Sequence, residues 1–429
     1  MILQRSKSAR RLTSTLPLVV VASIGFSSLR CTSDDATDDD SESEAGRGAG
    51  GAGGGGEDGG AEGGTPNVAR ACDPANDDAG AIDEPSPLIS VGATTFTNAG
   101  ATSPQRLADG SYDKQGTTLG LPEEDAPVWA ALQLEPGAAR VLVMWTDPGY
   151  KDYDDPSGGA PRAYEILVSA DSTDGEDGTW ESVVEVTENP VNARAHSFDF
   201  DGMSWVKLSV TEASLDAMDA AVPVKLDELA VYDISAAGDG RPKDTWFFMG
   251  DSITKGAFSR SAGGTSFEKQ ITAERPDFDP IVIGGGIGGE LSADGVAHLE
   301  DFLALNPDFH HVVIAYGTND SWGSGKTPSG TRFDVNMETI VAGVLAEDRV
   351  AILPTIPYAS QAHPDLVPFN ETLDRITSDN DLPCGADFYA WFFTHQDELS
   401  TDGVHPSSQG YRSMNTLTAA AALGFYPEP

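Results

Sequence analysis

A serine near the middle of this chain and an aspartate–histidine pair near its end are the residues best suited to nucleophilic chemistry: Ser252, Asp402 and His405. A serine hydroxyl is a weak nucleophile until a base removes its proton. Imidazole titrates near neutrality, so His405 is the candidate base. Asp402 stands three residues before it. That spacing can set a carboxylate beside the same ring, select its tautomer and stabilise the imidazolium. Attack on a carbonyl then creates an oxyanion, which needs donors already in place.

The elements around Ser252 suit that chemistry. Trp246, Phe247 and Phe248 form a short apolar run that reads as a buried strand. Gly250 permits a tight turn, and Ser252 follows where a strand of an open α/β sheet hands over to a helix. Ligands of such sheets bind outside the carboxyl ends of the strands. A helix N-terminus there offers unpaired N–H groups to developing negative charge. By itself, Gly250-Asp251-Ser252 reads equally well as a turn followed by an N-cap.

Around residues 236–240 the pattern changes from strands alone to strands alternating with helical stretches. The runs 281–283, 311–316 and 350–354 are continuous and apolar, as parallel strands covered on both faces are. The segment 333–345 can supply a crossover helix. The expectation is a three-layer α/β/α domain with a parallel sheet over residues 244–429.

Four blocks follow in order within it: Gly250-Asp251-Ser252-Ile253, Gly286-Ile287-Gly288-Gly289-Glu290, Gly317-Thr318-Asn319-Asp320 and Asp402-Gly403-Val404-His405-Pro406. This set resembles the SGNH (GDSL-like) hydrolases. The resemblance implies Ser252 as nucleophile, His405 and Asp402 as its partners, and an oxyanion hole made by the backbone N–H groups of Ser252 and Gly289 and the Asn319 side-chain amide. Asparagine suits because its NH2 donates without charge. Trp322, and Tyr358 beyond the 350–354 strand, are expected to flank the cleft. The run 284–289 also satisfies G-x-G-x-x-G, but the next strand ends in Tyr316-Gly317-Thr318-Asn319, without the acidic residue that a dinucleotide ribose needs. His310 and His311 read as surface or packing residues, and His298 and His363 have no spaced partner. No cluster has metal-ligand spacing, so the expected mechanism uses no metal and no cofactor.

Residues 87–236 read as short strands of period two, for example 140–145, 164–169 and 205–210, with turn clusters between them. The expectation is an all-β sandwich. The stretch 164–171, Trp180 and the final run 229–232 resemble the galactose-binding-like jelly rolls. Trp129, Trp145, Trp180 and Trp205 are either a sugar-stacking face or core and rim aromatics. The run Asp152-Tyr153-Asp154-Asp155 is either a calcium loop or a solvated one. A jelly roll ahead of an SGNH domain resembles the family-2 carbohydrate esterases, which implies a serine esterase that deacetylates polysaccharides, with an acylated carbohydrate or a small ester as substrate. The alternatives are a general lipase or short-chain arylesterase, and a carbohydrate-binding surface protein with a silent hydrolase domain.

At the N-terminus, four basic residues precede an apolar run from about residue 16 to 26, the pattern of an export signal over residues 1–30. Cys31 follows, then an acidic, Gly-rich tract. That order resembles a bacterial lipoprotein signal with Cys31 as the lipidated residue, although Arg30 stands where such signals carry a small one. Residues 31–86 are expected to be a structureless linker, since the tract offers little to bury. The chain is therefore expected to be exported, touching a membrane only through that lipid. Its 429 residues carry 26 Lys+Arg against 68 Asp+Glu, a net charge of −42, which disfavours binding to nucleic-acid phosphates. Cys72 and Cys384 are either a disulfide or two free thiols, and the oligomeric state stays open.

Overall fold

The computed structural model describes residues 80–111, 116–147, 152–258, 266–322, 327–360 and 365–428. The expected signal, Cys31, Cys72, most of the linker and His363 lie outside these residues. Cys384 is disulfide-bonded. Among the described residues, no helix is long and apolar enough to cross a membrane.

Among the described residues, ten strands come first: β1 (Thr94–Thr97), β2 (Thr117–Gly120), β3 (Val128–Gln133), β4 (Arg140–Thr146), β5 (Pro161–Ser169), β6 (Glu181–Val186), β7 (Ala193–Asp199), β8 (Trp205–Ala213), β9 (Val224–Leu226) and β10 (Leu229–Asp233). They form antiparallel sheets of order β1-β3-β8-β5-β6 and β10-β4-β7, with a small β2-β9 ribbon. Alternation explains the first core. Val206, Leu208 and Val210 of β8 point inward beside Tyr164, Ile166 and Val168 of β5. They meet Val141, Val143 and Trp145 of β4 and Leu229 and Val231 of β10.

Strand β4 departs from that alternation, because all of Val141–Thr146 is buried. Its other face, Leu142 and Met144, belongs to a second core. There it joins Ala193 and Ala195 of β7 and Ala230 and Tyr232 of β10. The small sheet thus lies between the larger sheet and the α/β part that follows. The described residues all fall within one compact unit, Glu57–Pro429.

The α/β part contains strands β11 (Thr245–Gly250), β12 (Ile281–Gly286), β13 (His311–Ala315) and β14 (Val350–Ile352). Its helices are α1 (Ser252–Phe258), α2 (Phe267–Glu274), α3 (Ser292–Leu305), α4 (Thr318–Ser321), α5 (Pro328–Thr331), α6 (Phe333–Ala346), α7 (Val367–Asp379), α8 (Phe388–Thr394) and α9 (Ser408–Ala422). The strands pair in parallel in the order β12-β11-β13-β14. Both faces are covered, which is why the strands read as unbroken apolar runs. Phe247 and Met249 pack with α3, α6 and α7. Trp246 and Phe248 pack with α1, α2, α8 and α9.

The linker expected up to residue 86 ends earlier. Ile82 is buried against Trp246 and Phe425, and its N–H donates to the Phe425 carbonyl at 2.7 Å. Asp83 pairs with Lys243 at 2.9 Å. The buried isoleucine, the backbone bond and the ion pair together fasten this end of a polar tract to the α/β part.

Candidate active site

Parallel pairing puts the loops after β12, β11 and β13 side by side, with the β11 loop in the middle. Ser252 opens α1 at the end of β11. The buried Asp251 caps that helix, accepting from the Ile253 N–H at 2.9 Å. Burial pushes the Asp251 carboxyl up to about 7. Gly250 is needed for close approach: a Cβ there would lie 2.5 Å from the Ala315 carbonyl oxygen and clash with Thr254. Its φ is not positive, so the expected turn comes from packing between adjacent strand ends and not from a left-handed backbone.

His405 lies in the loop before α9, and its Nε2 is 2.9 Å from Ser252 Oγ. Its Nδ1 is 2.7 Å from Asp402 Oδ2. The other oxygen of Asp402 accepts from Ser400 Oγ at 2.7 Å and from the N–H groups of Val404 and His405 at 2.8 and 2.9 Å. Burial alone would raise the Asp402 carboxyl, but these donors and the imidazole outweigh it and hold it well below the usual range. With Asp402 ionised, Nδ1 carries the ring proton, and Nε2 is left to accept from the serine.

The flanking loops carry the remaining candidates. Gly289 has φ +81°, a left-handed conformation that favours glycine, and open space where a Cβ would stand. Asn319 is in α4, and its amide donates to the Glu290 carbonyl at 2.8 Å, linking the two loops that flank Ser252. The Tyr316 hydroxyl donates to Glu290 Oε2 at 3.0 Å, and His298 Nε2 lies 3.6 Å from Oε1. Burial, with Asp294, Asp154 and Asp251 nearby, pushes the Glu290 carboxyl up to about 8. Ser292 and Asp320 join the same two loops through two further bonds.

Trp322 follows α4 and is 54% exposed. Tyr358 is half-buried and packs edge-on to Phe393 and Tyr389, so its ring is committed to the α8 side. His298 has the partner that its spacing did not announce. His311 is buried and stacks on Trp246 at the opposite end of the sheet.

The β-sheet candidates separate. Trp145 and Trp205 are fully buried. Trp129 and Trp180 are half-buried, with Lys207 Nζ 5.3 and 3.6 Å from their rings. In the acidic run, Tyr153 is buried in the second core, and Asp152 faces Gly288 and Lys255. Among the described residues, no group of three His, Cys, Asp or Glu is arranged to hold a metal. The contacts of Asp152 with Gly288 and Lys255 escaped sequence reasoning, since nothing local marks a partner 136 positions away.

A parallel three-layer sheet with a serine, a histidine and an aspartate in hydrogen-bonding sequence at its carboxyl edge defines a class of candidate hydrolase. Residues 248–413 match the GDSL-like lipase/acylhydrolase family, a span that runs from β11 into α9. No curated protein matches the chain. Among solved structures, a lipase/acylhydrolase from Enterococcus faecalis is 23% identical, covering 43% of this chain and 98% of its own, with a TM-score of 0.37. An acetylxylan esterase from Geobacillus stearothermophilus is 22% identical over 42% of this chain and 93% of its own, with a TM-score of 0.34. A psychrotrophic esterase from Pseudoalteromonas sp. is 19% identical over 42% and 96%, with a TM-score of 0.35.

Proposed function

We propose that this chain is an exported serine esterase that removes small acyl groups, acetyl foremost, from polysaccharides. One observation carries the esterase reading: Ser252 Oγ, His405 and Asp402 are joined by hydrogen bonds of 2.9 and 2.7 Å. In this reading Ser252 Oγ attacks the ester carbonyl while His405 Nε2 takes its proton. The oxyanion is held by the N–H groups of Ser252 and Gly289 and by the second N–H of the Asn319 amide. His405 then protonates the departing sugar hydroxyl, leaving an acyl-serine. Water attacks that ester with His405 again as base, releasing the acid and restoring the hydroxyl.

The polysaccharide substrate is inferred from the order of a β-sheet part before the hydrolase part, which resembles the family-2 carbohydrate esterases. Export and attachment through Cys31 belong to the same proposal. The test is acetate release from acetylated xylan by the protein lacking residues 1–66, beside 4-nitrophenyl acetate and a long-chain ester, with Ser252→Ala as control. Release from xylan that disappears in Ser252→Ala is the expected result. Cleavage of the small synthetic ester alone would keep the serine chemistry and remove the polysaccharide. Cleavage of the long-chain ester alone would make the protein a lipase. Activity that survives in Ser252→Ala would end the reading.

A further inference from the structure

We infer that Asp152, contributed by the β-sheet part, is a positioning residue for the oxyanion hole, so that this part is a working component of the active site and not a spacer. The inference rests on the esterase reading above. Its basis is a single carboxylate oxygen that touches both sides of the proposed hole. Asp152 Oδ1 accepts from the Gly288 N–H at 2.6 Å, next to the proposed donor Gly289. The same oxygen lies 3.0 Å from Lys255 Nζ. Lys255 stands on α1, one turn after Ser252.

Gly288 and Gly289 are both exposed, and Gly289 sits in a left-handed backbone. A turn of small residues at the surface has no side chains with which to hold its own shape. An N–H group aimed at a developing charge must nevertheless be in place before reaction, because an error of about 1 Å costs on the order of 100-fold. A charge-assisted bond from a fixed carboxylate supplies that constraint.

Asp152 is itself fixed. Asn192 donates to the backbone carbonyls of Asp152 and Asp155, both at 2.6 Å. The Tyr153 N–H donates to the Gly286 carbonyl at 3.3 Å, and the Asn192 N–H to the Tyr153 carbonyl at 3.0 Å. Tyr153 is buried, with its ring against Phe247 and Phe302 and its hydroxyl accepting from Asn306 at 2.8 Å. The loop is therefore anchored in the core beneath the parallel sheet before its carboxylate meets Gly288.

The experiment compares Asp152→Ala and Asp152→Asn with the unmodified protein on 4-nitrophenyl acetate, recording kcat, KM, melting temperature and the rate of phosphonylation of Ser252 by a small fluorophosphonate. Asp152→Ala should lower kcat and the phosphonylation rate together by about 10–100-fold, with KM within about twofold. Asp152→Asn keeps an oxygen for the Gly288 N–H and should recover most of the loss. If the alanine variant does not fold, Asp152→Ser replaces it, its oxygen being too near the backbone to reach Gly288. An unchanged kcat in a folded alanine or serine variant would overturn the inference, as would an asparagine variant as slow as alanine. An inactive unmodified protein would overturn the esterase reading and this inference with it, whereas an active one with an indifferent Asp152 would overturn only the second.

Discussion

Asp402 divides its two oxygens between two jobs. One faces His405 Nδ1, and the other gathers Ser400, Val404 and His405 backbone or hydroxyl donors, which shape the loop that carries the histidine. The proposed base is thus oriented by the same group that holds its loop. Asn319 shares labour in a similar way, since one N–H braces the Glu290 carbonyl and the other is proposed to meet the oxyanion. Asn319→Ala should lower kcat by about 10²–10³. Losing the brace should cost only about 1 kcal/mol of stability. Steady-state kinetics beside thermal melts checks both numbers, and a folded variant with normal turnover would remove Asn319 from the site.

At the level of elements, strand β4 serves two cores at once. Its residues alternate between two cores, Val141, Val143 and Trp145 on one side and Leu142 and Met144 on the other. The apolar residues 141–145 were visible in the sequence, yet the strand reads most simply as one more of a one-sided sheet. What covers its second face comes from helices and strands more than 100 residues away, and no local pattern names them. The same limit explains Asp152. Three of the four blocks of the α/β part were legible because each follows its own strand, where a parallel sheet brings such ends together, and the fourth because Asp402 and His405 stand three residues apart in the loop before α9. Met144→Ala should cost about 2–5 kcal/mol, the range for truncating a buried side chain. Because Met144 touches the shared core, tryptophan fluorescence and far-ultraviolet dichroism should report one coincident unfolding transition. Two separate transitions would show the β-sheet and α/β parts unfolding independently.

For the whole molecule, buried carboxyls and buried imidazoles set opposite trends with pH. Burial raises Asp244 and Asp251 to about 7 and Glu290 to about 8. The folded state keeps these protons after the unfolded chain has released them, so their stabilising effect is lost as pH rises through 7–8. Burial lowers His310 to about 4 and His196 and His311 to about 3. These rings add stability as pH rises towards their unfolded value of about 6.5, and nothing beyond it. Below about pH 6.5 the two sets therefore oppose each other, and above it the carboxyls act alone. The melting temperature should fall between about pH 6.5 and 8.5, and Asp244→Asn should fall less steeply. Equal slopes in the two proteins would mean that Asp244 does not hold its proton.

Gly80 and Phe425 meet at the starts of β13 and β11. The Gly80 carbonyl lies 3.1 Å from His311 Nε2, and the Tyr426 hydroxyl donates to Asp244 at 2.6 Å. Ser252 is at the far end of β11, roughly 20 Å away at strand geometry. Both ends of the described chain therefore leave from the floor of the sheet while the cleft opens at its roof. A bead, a fusion partner or a sensor chip coupled at the C-terminal end holds the protein by its base and leaves the approach to Ser252 unobstructed.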